Sequence, residues 1–203
     1  MNSLMMTLAG LDKEVLLALN LLAAGHKTLW ELANNSLFRG FPLFFSLVAL
    51  WFSGDDRERR GRMLAGLLAV CLATLVSAWS QFQIAVHIRP ILDPELHLQN
   101  VNEAWKWDRT SSFPSDTATM YFALATVVLL ETRLAGLFCF AWVTAVIAIP
   151  RVIFGLHYPS DIIGSVILGP GFVFICAKSL YLRRLFERAL MLFKNHMHVV
   201  HAL

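Results

Sequence analysis

Three short polar stretches interrupt an otherwise apolar chain: "HIRP" at 87–90, "SFPSDT" at 112–117 and "PRVIFGLHYPSD" at 150–161. Arg89 and Arg151 are fixed cations whose planar forks of donors suit an oxyanion. The middle stretch has the punctuation of a helix start, with Ser112 as a cap, Pro114 early and Asp116 in the first turn. Free N–H groups and the positive end of the helix dipole make such a terminus a phosphate site. In the third stretch His157 stands four residues before Asp161. There a carboxylate can orient one ring nitrogen and leave the other to attack. Taken singly, each stretch has a plain structural reading: Arg89 snorkels to the interface, Ser112–Asp116 caps a helix, and "HYPSD" turns into a helix capped by Ser160 or Asp161. Taken together they describe histidine-based chemistry on a phosphoryl group.

A metal centre is the weaker reading. His157 has no second histidine or cysteine nearby in sequence, and His87 and His97 match no zinc spacing. No metal or other cofactor is therefore expected. Cys71, Cys139 and Cys176 fall inside apolar runs and read as small core residues. His196, His198 and His201, with no carboxylate or cysteine beside them, read as a frayed terminus. The basic residues do not interleave with aromatics on a polar face, so a nucleic-acid partner is not expected.

These groups need a scaffold, and composition defines it. Of 203 residues, 57% are apolar and 15% charged, and the mean hydropathy is +0.60. The apolar residues arrive in blocks at 37–52, 63–86, 114–130, 134–150 and 161–180, each near the length that crosses a bilayer as a helix. Residues 1–36 carry Asp12, Lys13, Glu14, Lys27 and Glu31 among short apolar patches. They fit a helix lying in the interface, with a sixth span as the alternative. The expected fold is all-α: an integral membrane helical bundle with five or six transmembrane helices. It divides into the N-terminal region 1–36, a membrane-embedded domain at 37–180 and an amphipathic tail at 181–203. No signal peptide is evident.

Orientation follows from the arginines. "GDDRERRGR" at 54–62, "ETR" at 131–133 and the tail with Arg183, Arg184, Arg188 and Lys194 fall on one side when five spans alternate. The positive-inside bias makes that side cytoplasmic. The three polar stretches then share the outer side, and the basic tail lies on the inner leaflet. The long outer loop 91–113 holds Trp105 and Trp107, which suit anchoring at the interface.

The polar stretches resemble the motifs of the type 2 phosphatidic acid phosphatase superfamily. "RVIFGLHYPSD" resembles the third motif, with Arg151, His157 and Asp161 at the family's spacing. "FPSD" is similar to the second motif as found in bacterial undecaprenyl pyrophosphate phosphatases of the bacitracin-resistance type. "RP" at 89–90 matches the end of the first. The resemblance implies that His157 attacks phosphorus, Asp161 holds its ring, and Arg89, Ser115 and Arg151 bind phosphoryl oxygens without a metal. It implies a lipid phosphate or diphosphate as substrate and partner, in a bacterial-type inner membrane with the site facing outward.

Two departures stand out. The first-motif lysine, seven residues before the arginine, is Phe82 here, and Lys106 or Arg109 are candidates to replace its charge. The second-motif histidine, which protonates the leaving group, is Thr117. Pro150 in place of serine is a milder change. Three readings follow: a phosphatase that favours diphosphates or a phosphotransferase, an enzyme with a substitute acid (His87, His97 or Asp116), or a non-catalytic lipid-phosphate binding or transport protein. Asp116 suits the first turn of a helix and would pair with a cation such as Arg109.

Overall fold

A computed structural model describes residues 3–22, 28, 31, 35–54, 56–83, 88–98 and 111–200, the side chains of 3–6, 8, 22 and 193–200 excepted. The elements are α1 (Ser3–Leu22), α2 (Ser36–Phe52), α3 (Arg57–Gln83), α4 (Asp116–Glu131), α5 (Arg133–Val143), α6 (Ile149–Ile153), α7 (Pro159–Lys178) and α8 (Leu180–Val200). Single 3₁₀ turns, Pro90–Leu92 and Pro94–Leu96, follow the first polar stretch. The protein is an all-α membrane helical bundle.

Among the described residues, three helical stretches are long and apolar enough to cross a membrane: Arg57–Gln83, Arg133–Ile153 and Pro159–Lys178. Helix α2 is a shorter apolar helix of 17 residues, and α4 has 16. Helix α1, interrupted by Asp12, Lys13 and Glu14, is not among the three. It packs instead on the segment around α6 and the start of α7, burying Leu16 against Val152 and Tyr158. Asn20 of α1 donates to the Ile153 carbonyl at 2.8 Å.

The packing has membrane character. Leu37, Leu75, Ile167 and Ile175 point outward and are exposed, while α3 turns Gly61, Ala65, Ala69, Ala73, Ser77 and Gln81 inward at every fourth residue. Small residues on one stripe let helix backbones approach closely, which is how association proceeds where lipid removes the hydrophobic drive. At the α4–α7 crossing, a Cβ on Gly169 would meet the Thr119 carbonyl at 2.5 Å, so the close approach needs glycine there. Between α5 and α6 the helix widens to a π turn at Thr144–Ala148, just before Pro150. Proline lacks the N–H a regular turn would use, and the insertion absorbs that defect.

The polar segments sort to the two ends. At one end Arg62 and Glu58 at the start of α3 meet Glu131 of α4 and Arg183 of α8, the segments that sequence places together. The three polar stretches gather at the other.

Candidate active site

Helix α6 stops at Phe154 because Gly155 takes a left-handed φ of +67°, a conformation glycine adopts without strain. A Cβ at Gly155 would also lie 2.4 Å from Leu98 Cδ1. The reversal folds the Leu156 and His157 amides back onto the Arg151 carbonyl, at 2.9 and 3.2 Å. The Gly155 carbonyl accepts from Ile91 N at 2.8 Å, which lays the first stretch beside the third.

His157 is fully buried. Its Nδ1 lies 3.0 Å from the Ser112 carbonyl oxygen and 3.4 Å from Asp161 Oδ2. Its Nε2 lies 3.1 Å from Arg89 Nη1. The partners settle the tautomer: a carbonyl can only accept and a guanidinium can only donate. Nδ1 carries the proton, and the Nε2 lone pair faces Arg89 and the site. Asp161, expected to hold the ring, lies beside Nδ1 together with a main-chain carbonyl. Asp161 Oδ2 takes a 2.8 Å bond from Tyr158 N at the start of α7 and shares Nδ1 with the nearer Ser112 carbonyl. Burial pushes the imidazole below its ordinary pKa, opposed by Asp161 and reinforced by the charges of Arg89 and Arg151. The ring is thus held neutral, as a nucleophile must be.

Arg89 is 3% exposed. It donates to Gln81 Oε1 at 2.9 Å and to the Leu156 carbonyl at 3.3 Å. Burial lowers its pKa, countered by the charges of Asp116 and Asp161. Arg151 is 8% exposed, and its Nε has no hydrogen-bond partner. No carboxylate among the described residues lies within ion-pair distance of its guanidinium, although Asp116 interacts with it electrostatically. A buried cation with so few compensating contacts is costly unless an anion arrives.

The second stretch differs from expectation in one respect. The cap of α4 is Ser115, whose Oγ accepts from Ala118 N at 3.4 Å. Ser112, expected as the cap, lies outside the helix and supplies the carbonyl to His157, because the helix does not begin until Asp116. Asp116 Oδ1 accepts from its neighbour Thr117 N at 2.8 Å, with the Thr117 hydroxyl at 3.5 Å. Lys106, Arg109 and His87 lie outside the described residues. His97 is described, exposed and in a left-handed conformation with φ of 44°.

Sequence reading overlooked Ser77 and Gln81. Both donate to the Pro114 carbonyl, at 3.2 and 2.6 Å, and both are buried polar groups inside an apolar run. Polarity at that depth is itself the signal that would have found them. It also overlooked Arg39 of α2, whose charge bears on Arg151.

Several known proteins are similar to this chain in sequence. The chain is 30% identical over 123 residues to the putative undecaprenyl-diphosphatase YbjG of Escherichia coli (strain K12), covering 60% of this chain and 58% of that protein. It is 29% identical over 132 residues to the undecaprenyl-diphosphatase BcrC of Bacillus subtilis (strain 168), covering 63% of each. It is 26% identical over 131 residues to the bacitracin transport permease protein BcrC of Bacillus licheniformis, covering 63% and 59%. The chain thus spans about three-fifths of the length of these relatives. No solved structure matches it significantly. The family model described as PAP2 superfamily matches residues 62–185, the span that holds Arg89, Ser115, Arg151, His157 and Asp161, and the chain belongs to that superfamily.

Proposed function

We propose that this protein is a membrane phosphatase for lipid phosphates and diphosphates that works through a phosphohistidine at His157. The observation that carries the reading is a fully buried imidazole whose Nδ1 meets the Ser112 carbonyl and whose Nε2 lies 3.1 Å from Arg89, with the under-compensated Arg151 in the same site. Nε2 attacks phosphorus, the bond from phosphorus to the bridging oxygen breaks, and the leaving group departs with its electron pair. Ser112 O and Asp161 stabilise the Nδ1–H that carries the new positive charge. Arg89, Arg151 and the Ser115 hydroxyl at the positive end of α4 hold the phosphoryl oxygens, where preorganised donors lower the barrier most. Water then cleaves the N–P bond and returns the free imidazole. No step requires a metal, so chelators leave turnover intact.

The substrate class follows from Thr117. A threonine hydroxyl is too weak an acid to protonate a lipid alkoxide. A phosphate leaving group, with a second pKa near ~6, needs far less help. The relatives named undecaprenyl-diphosphatases support a polyprenyl diphosphate. The site faces outward across the cytoplasmic membrane, because the arginine-rich end is the inner one. The test is kcat/KM for matched mono- and diphosphate lipids, before and after Thr117→His. Diphosphates are cleaved in preference by the natural protein, and the substitution raises the monophosphate rate selectively, by up to ~10²–10⁴-fold. Equal rates on both substrates in the natural protein would point to a substitute acid, with Asp116, His87 and His97 the next to change. Turnover of neither, before or after, would favour a lipid-phosphate binding protein.

A further inference from the structure

The Gln81 side chain joins the first two stretches. It lies in the last turn of α3 and is 7% exposed. Its Oε1 accepts from Arg89 Nη2 at 2.9 Å, and its Nε2 donates to the Pro114 carbonyl at 2.6 Å. Neither partner can exchange roles, so the orientation of the amide is fixed. Its main-chain carbonyl accepts from Ser111 N at 3.1 Å, immediately before the residue whose carbonyl holds His157 Nδ1. The next residue, Phe82, is 74% exposed and points away from this network. The position that carries lysine in the family pattern therefore contributes nothing here, and its inward neighbour does.

We infer that Gln81 is a positioning residue, holding Arg89 against His157 with a neutral acceptor while tying it to the second stretch through the Pro114 carbonyl. This rests on the phosphatase reading above. The neutrality matters as much as the geometry. A carboxylate at this point would bind Arg89 as an ion pair and set a lone pair against the Pro114 carbonyl. An apolar side chain would leave a guanidinium N–H without its acceptor, and Ser77 would hold the Pro114 carbonyl alone.

The experiment uses the full chain in detergent with Gln81→Glu and Gln81→Met. Two readouts are followed: kcat and KM on a lipid diphosphate, and the titration of His157 by NMR with labelled histidine. In Gln81→Glu, kcat falls by roughly 10²-fold with a smaller change in KM, the scale expected when a reacting group is misplaced. The His157 midpoint moves up, because the new carboxylate offsets the Arg89 charge that opposes protonation. A merely structural role leaves that midpoint where it was. Unchanged kcat and an unchanged midpoint in a folded Gln81→Glu protein would overturn the inference. Should that variant not fold, Gln81→Met decides: its kcat falls at least tenfold, and a natural kcat overturns the inference. A natural protein without turnover, in which Gln81→Glu still moves His157, would sink the phosphatase reading and uphold the Gln81–Arg89–His157 link.

Discussion

The two ends of the bundle both concentrate arginine, and they treat it differently. At the end formed by the starts of α3 and α8, Arg62 grips Glu131 through two bonds of 3.0 and 2.9 Å. Glu58 sits against both Arg62 and Arg183. Arg60 donates to the Trp51 and Gly54 carbonyls and lies over the Trp51 ring. At the other end Arg89 donates to the Gln81 side chain and the Leu156 carbonyl, and Arg151 leaves Nε without a partner. Arginines matched by carboxylates stabilise the fold. A buried guanidinium with an unfilled donor, as at Arg151, leaves its field open to an anion that arrives from outside.

The largest effect that tests this contrast falls on the nucleophile. His157→Gln reduces kcat by about 10⁴–10⁶-fold, on the scale seen when a catalytic nucleophile is removed, while the detergent-purified protein keeps its helical circular dichroism. Residual turnover within tenfold of the natural rate would remove His157 from the chemistry.

Next comes a paired substitution across the two ends. Arg151→Gln lowers kcat/KM by about 10²–10³-fold and does not lower the melting temperature, because a poorly compensated buried charge is lost. Arg62→Gln does the reverse. Activity stays within about threefold, and stability drops by about 1–3 kcal/mol as buried Glu131 loses its partner. Equal losses of activity in the two variants would erase the distinction between the ends.

A smaller effect appears on acidification. Burial lowers the His157 pKa, so the neutral ring persists below the ordinary imidazole value of about 6.5. The acid limb of kcat/KM therefore lies below that value, with a plateau through neutrality. The sign for stability is the same. Below about 6.5 the unfolded chain binds the proton more readily than the folded one, so stability falls as pH drops toward the folded value. A rate that declines through pH 7 would contradict the buried neutral ring.

The smallest effect concerns α1. Asp12 Oδ1 accepts from Ser160 N at 2.9 Å, its Oδ2 binds the Ser160 hydroxyl, and Lys13 lies 3.4 Å from Asp93 Oδ2. Asp12 thereby caps the first turn of α7 from another helix. Asp12→Ala costs about 1 kcal/mol, the usual value of a cap, and lowers kcat less than twofold to fivefold. A loss as large as that of Arg151→Gln would place Asp12 in the site.

Much of the fold was legible in the chain. Apolar blocks of bilayer length mark helices, since backbone groups in hydrocarbon must bond within their own segment. The observed α2, α3, α4 and α7 fall on the blocks read at 37–52, 63–86, 114–130 and 161–180, and the block at 134–150 became α5, a π turn and α6. Arg89, His157 and Asp161, which the fold brings together, also stand out in the chain, because arginine, histidine and aspartate at the ends of apolar runs are costly there. What sequence could not decide was which atoms meet. Ser112 and Ser115 look equally like caps, and only the start of α4 at Asp116 assigns one to the helix and the other, through its carbonyl, to His157. Gln81 passed as one polar residue in an apolar run until the packing of α3 against the second stretch set it between Arg89 and Pro114. A carbonyl has no identity in sequence, and an amide bridge exists only when both of its ends are brought within 3 Å. The Gln81–Pro114 and Ser112–His157 contacts join residues far apart along the chain, and the tertiary fold alone makes them.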